Sequence, residues 1–191
     1  MSDRPLLLGI SGSLRQSSFC TAILHTLADL SQEHTTFEIF PLHDVPLYNQ
    51  DLDSDSPPLS VVALRDAIRS AAGLVIATPE YNYGMSGVLK NALDWASRPY
   101  GKSQLKRKPV LTLSASPAFT GGVRAQTQLN ETLVSNAALL VLRPQTVIGL
   151  AHEKVKEGRL IDETSIQFLV QGVQDLLRDI AVKQAATNQE A

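Results

Sequence analysis

Residues 78–87 read Thr-Pro-Glu-Tyr-Asn-Tyr-Gly-Met-Ser-Gly, and they connect an apolar segment, 73–77, to a helical pattern, 88–96. An apolar run as short as 73–77 predicts a buried strand rather than a helix. The loop after it is rich in polar and aromatic groups. In open α/β sheets, ligands bind outside the carboxyl ends of strands, where the strand order reverses. The sequence therefore predicts a ligand-binding loop at residues 78–87.

Strands and helices alternate through the rest of the chain. Apolar runs predict strands at 5–10, 37–40, 73–78, 110–114 and 139–148, the last of them interrupted by Pro144. Helical spacing predicts a first helix whose N-cap is Ser17 or Ser18. It predicts further helices at 59–72, 88–96, 123–136 and 163–182. This alternation predicts an α/β fold, with a parallel sheet between two layers of helices. Five strands favour a flavodoxin-like three-layer sandwich of order 2-1-3-4-5 over the six-stranded dinucleotide-binding fold.

We expect one domain over residues 1–191, with an ordered core from about 4 to 182. The proline-rich and acidic segment 41–58 is predicted to be a long surface loop, and such loops are often functional. Residues 151–160 are predicted to be irregular. The last nine residues, 183–191, are predicted to be frayed.

Composition excludes several classes of protein. The net charge of −2 argues against a nucleic-acid-binding protein, which usually has a basic excess. No apolar run is long enough to span a membrane, and no secretory signal is evident, so we expect a cytoplasmic protein without membrane partners. The single cysteine, Cys20, excludes an internal disulfide, and we expect it to be a buried helix residue rather than a nucleophile.

The loop after the first strand has the groups that bind phosphate. It leads into a helix N-terminus, which presents free N–H groups and a partial positive charge. Hydroxyls at Ser13, Ser17 and Ser18 are further donors, and Arg15 adds a charge-assisted contact. The loop lacks the Walker ending, so a terminal monophosphate, as in FMN, fits better than a pyrophosphate. The alternative is a polar turn with a serine cap.

Two further loops complete the predicted site. Backbone N–H groups of residues 80–84 are suited to the polar edge of a flavin ring, but Glu80 and Asn82 are equally suited to capping the following helix. Tyr81 and Tyr83 are either part of this site or anchors of a subunit interface. The third loop, 114–122, contains small and hydroxyl side chains that are suited to the pyrimidine side of the ring; the alternative is a flexible glycine-rich turn. We find no catalytic carboxylate pair, metal-ligand spacing or Ser–His–Asp order, so we expect no catalytic side chain and no metal.

Together, these motifs resemble the NAD(P)H-dependent FMN reductase family, which includes quinone, azo-dye and chromate reductases of flavodoxin-like fold. The resemblance covers roughly residues 5–180. It rests on three segments: Gly-Ser-Leu-Arg-Gln-Ser-Ser-Phe at 12–19, Pro-Glu-Tyr-Asn at 79–82, and Gly-Val-Leu-Lys-Asn-Ala-Leu-Asp-Trp-Ala-Ser-Arg-Pro at 87–99.

The resemblance implies a cofactor site with a phosphate half and a ring half. The predicted cofactor-binding residues are Ser13, Arg15, Ser18, Phe19, Cys20, Pro79, Glu80, Tyr81, Asn82, Tyr83, Gly84, Ser114 and Ser116. Relatives often have asparagine at position 20, so Cys20 implies looser FMN binding or a compensating group. Relatives are homodimers or homotetramers with the flavin near the interface, which makes Trp95, Tyr83 and residues 41–58 candidates for interface or pocket walls.

The implied activity is an FMN-dependent oxidoreductase. A hydride passes from NAD(P)H through flavin N5 to a second acceptor in a ping-pong cycle. The acceptor is a small molecule: a quinone, free flavin, an azo compound or a metal oxyanion such as chromate. One alternative is an FMN-containing electron carrier that docks protein partners, against which the modest charge and Arg15 both count. The other is a non-catalytic regulatory module of the same fold.

Overall fold

The structure is a computed structural model that describes residues 4–189. The strands are β1 (Leu6–Ser11), β2 (Thr36–Phe40), β3 (Gly73–Thr78), β4 (Glu80–Tyr81), β5 (Gly84–Met85), β6 (Pro109–Ala115), β7 (Leu139–Leu140), β8 (Val147–Ile148), β9 (Val155–Lys156) and β10 (Arg159–Leu160). The helices are α1 (Phe19–Ser31), α2 (Leu59–Ser70), α3 (Gly87–Ala96), α4 (Val123–Ser135), α5 (Ala151–Lys154) and α6 (Glu163–Gln189). None of the helices within residues 4–189 combines the length and the hydropathy needed to cross a bilayer.

The central sheet is parallel and has the order β2-β1-β3-β6-β7, with β8 also paired to β6. The predicted order 2-1-3-4-5 is therefore confirmed, and the order reverses between β1 and β3. The fifth position is divided between two short strands. β7 pairs with Pro109 and Val110 at the start of β6, whereas β8 pairs with Ser114 and Ala115 at its end. Pro144 lies between β7 and β8 and has no N–H to donate to a strand neighbour.

Each face of the sheet is covered by helices, because the strands present apolar side chains on both sides. Leu74 and Ile76 of β3 belong to a core with α2, α3 and α4. The intervening Val75 and Ala77 belong to a second core with α1 and α6. Alternation along a buried strand thus supplies both layers of the sandwich, and it leaves the strand ends free to form a site.

Three segments differ from the predictions. Residues 80–85 form a small antiparallel hairpin of β4 and β5 after β3. Residues 151–160 are regular rather than irregular, since α5 leads into the β9–β10 hairpin. The last helix continues to Gln189 instead of ending near residue 182. Residues 190 and 191, the end of the segment predicted to be frayed, lie outside the described part of the chain.

Hydrogen bonds attach the long segment 41–58 to α3. The indole N–H of Trp95 and the side-chain amide of Asn91 both donate to the carbonyl oxygen of Pro46, each at 2.8 Å. The Asn91 carbonyl oxygen accepts from the backbone N–H of Tyr48 at 2.7 Å. Trp95 is fully buried within the chain. The expectation that Trp95 forms an interface or a pocket wall is therefore wrong, and its role is to hold this segment against the core.

Candidate functional site

A cleft of about 160 Å³ opens at the carboxyl ends of β1, β3 and β6, beside the point where the strand order reverses. Loops from all three strands contribute to it. The residues that line it are Ser13, Arg15, Ser18, Phe19, Cys20, Pro79, Glu80, Tyr81, Ala115, Ser116 and Pro117. The fold thus brings together nine of the thirteen predicted site residues. The other four, Asn82, Tyr83, Gly84 and Ser114, do not line the cleft.

The N-terminus of α1 forms one end of the cleft. Ser18 is its N-cap, and its hydroxyl accepts the backbone N–H of Thr21 at 3.2 Å. Phe19 and Cys20 occupy the first turn, where backbone N–H groups have no intrahelical acceptor. These N–H groups and the positive end of the helix dipole favour an anion at this position.

The guanidinium of Arg15 extends over the same end of the cleft. The Nη2 nitrogen of Arg15 donates to the carbonyl oxygen of Ser17 at 2.8 Å. The guanidinium carbon of Arg15, Cζ, lies 5.0 Å from the centre of the Phe19 ring. The side chain is exposed and keeps further N–H groups for a ligand. A guanidinium beside a helix N-terminus is well suited to phosphate oxygens.

The β4–β5 hairpin forms the opposite wall. Its two central residues, Asn82 and Tyr83, have φ angles of 50° and 66°. Positive φ at both positions is what a two-residue type I′ turn requires. Asparagine adopts this conformation readily, whereas tyrosine does so rarely. The turn carries Tyr83 away from the cleft, while Tyr81 of β4 remains in its lining.

The hairpin is bound to the start of α4 through Glu80. One carboxylate oxygen, Oε2, accepts the backbone N–H groups of Arg124 and Ala125 at 3.1 and 3.2 Å. The N-cap residue of α4 is Gly122, which has no side chain to fill this role. Glu80 therefore caps α4. The alternative that Glu80 caps α3 is wrong, because the hydroxyl of Ser86 caps that helix.

Two side chains of α4 hold the rest of the hairpin. The guanidinium carbon of Arg124 lies 4.4 Å from the centre of the Tyr83 ring. The side-chain oxygen of Gln128 accepts the backbone N–H of Met85 at 2.8 Å. A Cβ at Gly84 would lie 2.8 Å from this Gln128 oxygen, so a larger residue there would displace the Gln128 side chain from Met85. Tyr83 and Gly84 therefore position the hairpin without lining the cleft.

The third loop contributes Ser116 but not Ser114. Ser114 is completely buried, and its hydroxyl donates to the carbonyl oxygen of Gly121 at 2.8 Å. Ser114 therefore does not line the cleft. Ala115 and Pro117 do line it, and neither was predicted individually. The sequence feature that could have identified Ala115 and Pro117 is their position beside Ser116, in a loop that follows a predicted strand.

Cys20 is a wall residue without nucleophilic character. It is only 1% exposed, and burial raises the pKa of its thiol to about 12, although backbone N–H groups, including that of Ala115, act in the opposite direction. The thiol is therefore protonated at neutral pH. This agrees with the expectation of a buried helix residue.

The donors of the cleft fit FMN. Its phosphate would meet the first turn of α1 and Arg15, where no carboxylate lines the cleft. The acid that does line it, Glu80, already accepts two backbone N–H groups of α4. Tyr81 and residues of the third loop line the rest of the cleft and are suited to a planar ring. The cleft therefore combines an anion-binding end with an end suited to a heterocycle.

Comparisons with known proteins agree with this geometry. A family model described as NADPH-dependent FMN reductase matches residues 5–153. An NAD(P)H-dependent FMN reductase from Pseudomonas aeruginosa is 40% identical over 177 residues, which cover 92% of this chain and 95% of that protein. A quinone reductase from Escherichia coli is 36% identical over 173 residues, which cover 88% of this chain and 92% of that protein.

Among solved structures, the flavoenzyme NAD(P)H:(acceptor) oxidoreductase FerB from Paracoccus denitrificans superimposes with a TM-score of 0.83. It is 31% identical in sequence, and the match covers 93% of this chain and 97% of that chain. The extent of these matches shows that the chain belongs to the NADPH-dependent FMN reductase family, and that it is an oxidoreductase that uses FMN and NAD(P)H.

Proposed function

We propose that this enzyme passes reducing equivalents from NAD(P)H to a quinone, with FMN held in the cleft between the first turn of α1 and the β4–β5 hairpin. The observation that carries the proposal is the meeting of Arg15 and the free N–H groups of α1 with Tyr81 in one cleft at the strand ends. The quinone is favoured as acceptor by the similarity to the quinone reductase from Escherichia coli.

When bound, FMN would supply the redox chemistry, which is hydride transfer from NAD(P)H to the second acceptor through flavin N5. The chain holds and orients the reactants. Ser13, Arg15 and Ser18 would hold the phosphate, together with the N–H groups of α1. The backbone of Glu80 and Tyr81, with Ser116, would hold the ring.

In this proposal, no side chain of the cleft acts as a general acid or a general base. The Glu80 carboxylate is occupied as a helix cap, and the Cys20 thiol is protonated. The contribution of the protein to rate is therefore positioning. Because one open side of the cleft serves both NAD(P)H and the quinone, the two ligands bind in turn, which is a ping-pong order.

We further propose that the enzyme is a cytoplasmic homodimer or homotetramer with the cleft near a subunit interface. Large apolar side chains are exposed on the loops that surround the cleft: Leu14, Tyr81, Tyr83 and Phe119. Clusters of exposed apolar groups are typical of interaction surfaces. Light scattering during size-exclusion chromatography tests this point, and a monomer at micromolar concentration would contradict it.

Turnover of purified protein tests the proposed reaction. The protein is loaded with FMN and mixed anaerobically with NADH or NADPH, and the flavin absorbance band is followed. We expect bleaching, recovery of the band on addition of a benzoquinone, and parallel lines in double-reciprocal plots of initial rates. Intersecting lines would contradict the ping-pong order, and an unbleached flavin would contradict the reductase. Free FMN, an azo dye and chromate serve as competing acceptors.

A further inference from the structure

A cavity of about 490 Å³ opens beside the starts of β3 and β6, at the end of the sheet opposite the cleft. We call it the basal cavity. Its walls include Arg69 of α2, Lys108 immediately before β6, and Ile180, Lys183 and Gln184 of α6. Among residues 4–189, three cationic side chains and no aspartate or glutamate line it. The basal cavity shares no lining residue with the cleft, so it is a separate feature of the molecule.

Close packing of α6 against the sheet brings these cations together. A Cβ at Gly73, the first residue of β3, would lie 2.8 Å from Cδ1 of Ile180 and 3.1 Å from Cδ1 of Leu176. Glycine therefore lets α6 approach the start of β3. Lys183 lies three residues after the buried Ile180, on the same side of the helix. This places the Lys183 side chain at the sheet end where Lys108 precedes β6.

Lys108 is a buried cation that is held by backbone carbonyls. It is 8% exposed. Its ammonium donates to the carbonyl oxygen of Arg69 at 3.2 Å and also to that of Ala71. These carbonyls lie at the end of α2, where the last carbonyl groups of a helix lack intrahelical donors. No carboxylate of residues 4–189 forms an ion pair with Lys108, so only the dipoles of peptide groups offset its charge.

The charges around Lys108 are mostly of the same sign. Burial lowers the pKa of its ammonium, and the charge of Lys183 lowers it further, to about 8. Arg69 pairs with Asp66 at 2.7 Å, but that pair is exposed, and Asp66 does not line the basal cavity. A like charge disfavours the protonated form of Lys108, whereas an anion placed between the cations would favour it.

We propose that the basal cavity binds a tetrahedral oxyanion with two negative charges, such as inorganic phosphate or the phosphate group of a phosphomonoester. The side chains of Arg69, Lys183 and Gln184 donate to the oxygens of this anion, and Lys108 beneath them contributes its charge. These donors come from two helices and so approach from different directions. A tetrahedral anion can accept from several directions at once, and guanidinium and ammonium groups both bind phosphate.

Calorimetric titration with sulfate tests the site, because sulfate is a tetrahedral dianion that does not titrate near neutral pH. The protein is first saturated with FMN, and ionic strength is held constant with chloride. We expect one saturable site per chain. Lys183→Gln and Arg69→Gln should each weaken it about fivefold, as expected for partly exposed charges. Lys102→Gln, at an exposed lysine that does not line the basal cavity, is the matched control and should leave it unchanged.

Proton uptake by the wild-type protein gives a second readout, which does not depend on the folding of a variant. Lys108 is about half protonated at pH 8 and fully protonated at pH 6. A bound anion raises its pKa, so sulfate binding should take up as much as about half a proton at pH 8 and none at pH 6. The other charged groups around Lys108 are Lys183, Arg69 and Asp66, and side chains of these types ordinarily titrate outside this range. Titrations in buffers of different ionisation enthalpy give the number of protons.

The source of the anion is identified by competition. Inorganic phosphate and glycerol phosphate are each used to displace sulfate, and the tighter competitor shows whether a free anion or a phosphomonoester is preferred. The absence of saturable sulfate binding, equal weakening by Lys183→Gln and Lys102→Gln, or the same proton count at pH 6 and pH 8 would each overturn the proposal. Failure of FMN reduction by NAD(P)H would leave it unaffected, since the basal cavity lies at the other end of the sheet.

Discussion

Glu80 and Arg124 are joined twice, although 44 positions separate them in the chain. The Glu80 carboxylate accepts the backbone N–H of Arg124, and its other oxygen lies 3.9 Å from the Arg124 guanidinium. Glu80 lies shortly after β3, and Arg124 lies in the first turn of α4, after β6. Two of the three loops around the cleft are thereby fixed to each other. The acid of the Pro-Glu-Tyr-Asn segment therefore has a structural role in the wall of the cleft.

Replacing Glu80 by alanine should destabilise the protein. The two N–H groups of α4 lose their acceptor, and loss of a helix cap costs about 1–2 kcal/mol in the free energy of unfolding. Glu80→Gln keeps an acceptor oxygen and should cost less than half as much. Glu131→Ala, which removes an exposed acid elsewhere on α4, is the matched control. Urea unfolding without FMN measures all three, and equal stability of Glu80→Ala and Glu131→Ala would show that the cap does not contribute.

The type I′ turn can be tested at Asn82, because its φ of 50° penalises branched side chains. Asn82→Val should lower the free energy of unfolding by about 1–2 kcal/mol, the cost of a left-handed conformation, and should weaken FMN binding as the hairpin shifts. Asn82→Gly has no such penalty and is the control. Fluorescence titration with FMN decides the role of the side chain: if Asn82→Gly loses as much affinity as Asn82→Val, the amide itself contacts the cofactor.

Strand order and the position of the site could be predicted because both depend on local patterns. Apolar runs mark buried strands, and the loops after them meet at one edge of a parallel sheet. The turn at Glu157 and Gly158, which forms the β9–β10 hairpin, also had a local signal: an acid and a glycine between two alternating pairs of residues. The extension of α6 was likewise predictable, since Lys183 to Ala186 favour helix even where apolar spacing ends.

The errors concern contacts between distant segments. The Trp95 indole donates a hydrogen bond to Pro46, which lies 49 positions earlier in the chain. No local pattern in α3 shows that Trp95 has a partner in that loop.

Ser114 and Ala115 pose a different problem. Consecutive residues of a strand face opposite sides, so one of the two lines the cleft and the other does not. The sequence shows where β6 ends only approximately, and an error of one residue reverses this assignment.

Arg15 supplies the most direct test of the phosphate half. Removal of a hydrogen bond to a charged group costs about 1.5–3 kcal/mol, so Arg15→Ala should weaken FMN binding about tenfold or more. Arg15→Lys keeps the charge but not the planar donor pair and should fall between. Because the side chain is exposed, thermal stability without FMN should change little. Arg178→Ala, an exposed arginine on α6, is the control, and unchanged affinity in Arg15→Ala would place the phosphate elsewhere.

The thiol of Cys20 should make stability depend on alkaline pH. Burial raises its pKa from the ordinary 9.0 to about 12, so the folded state retains a proton that the unfolded state releases above pH 9. Stability from this group is therefore complete below pH 9 and is lost progressively between pH 9 and 12. At pH 10.5 the loss amounts to about 2 kcal/mol.

Comparison with Cys20→Ala isolates this effect, since every other titrating group is common to both proteins. Urea unfolding under reducing conditions at pH 7.5 and 10.5 gives the difference in free energy of unfolding between wild type and variant. We expect the free energy of unfolding of the wild-type protein, relative to that of the variant, to be about 2 kcal/mol lower at pH 10.5 than at pH 7.5. A difference that is the same at both pH values would mean that the thiol ionises as readily in the folded state as in the unfolded one.

The ion pair of Arg65 and Asp53 should be essential to the attachment of residues 41–58. Their closest atoms are 2.7 Å apart, both side chains are 11% exposed, and Arg65 also donates to the carbonyl oxygen of Trp95. Asp53→Asn leaves a buried guanidinium without its counter-ion and should lower the free energy of unfolding by about 2–4 kcal/mol. Asp51→Asn, at an exposed acid in the short 3₁₀ helix Gln50–Leu52 that precedes Asp53, should have almost no effect. If the two variants unfold at the same urea concentration, the segment is held by the Trp95 and Asn91 hydrogen bonds alone.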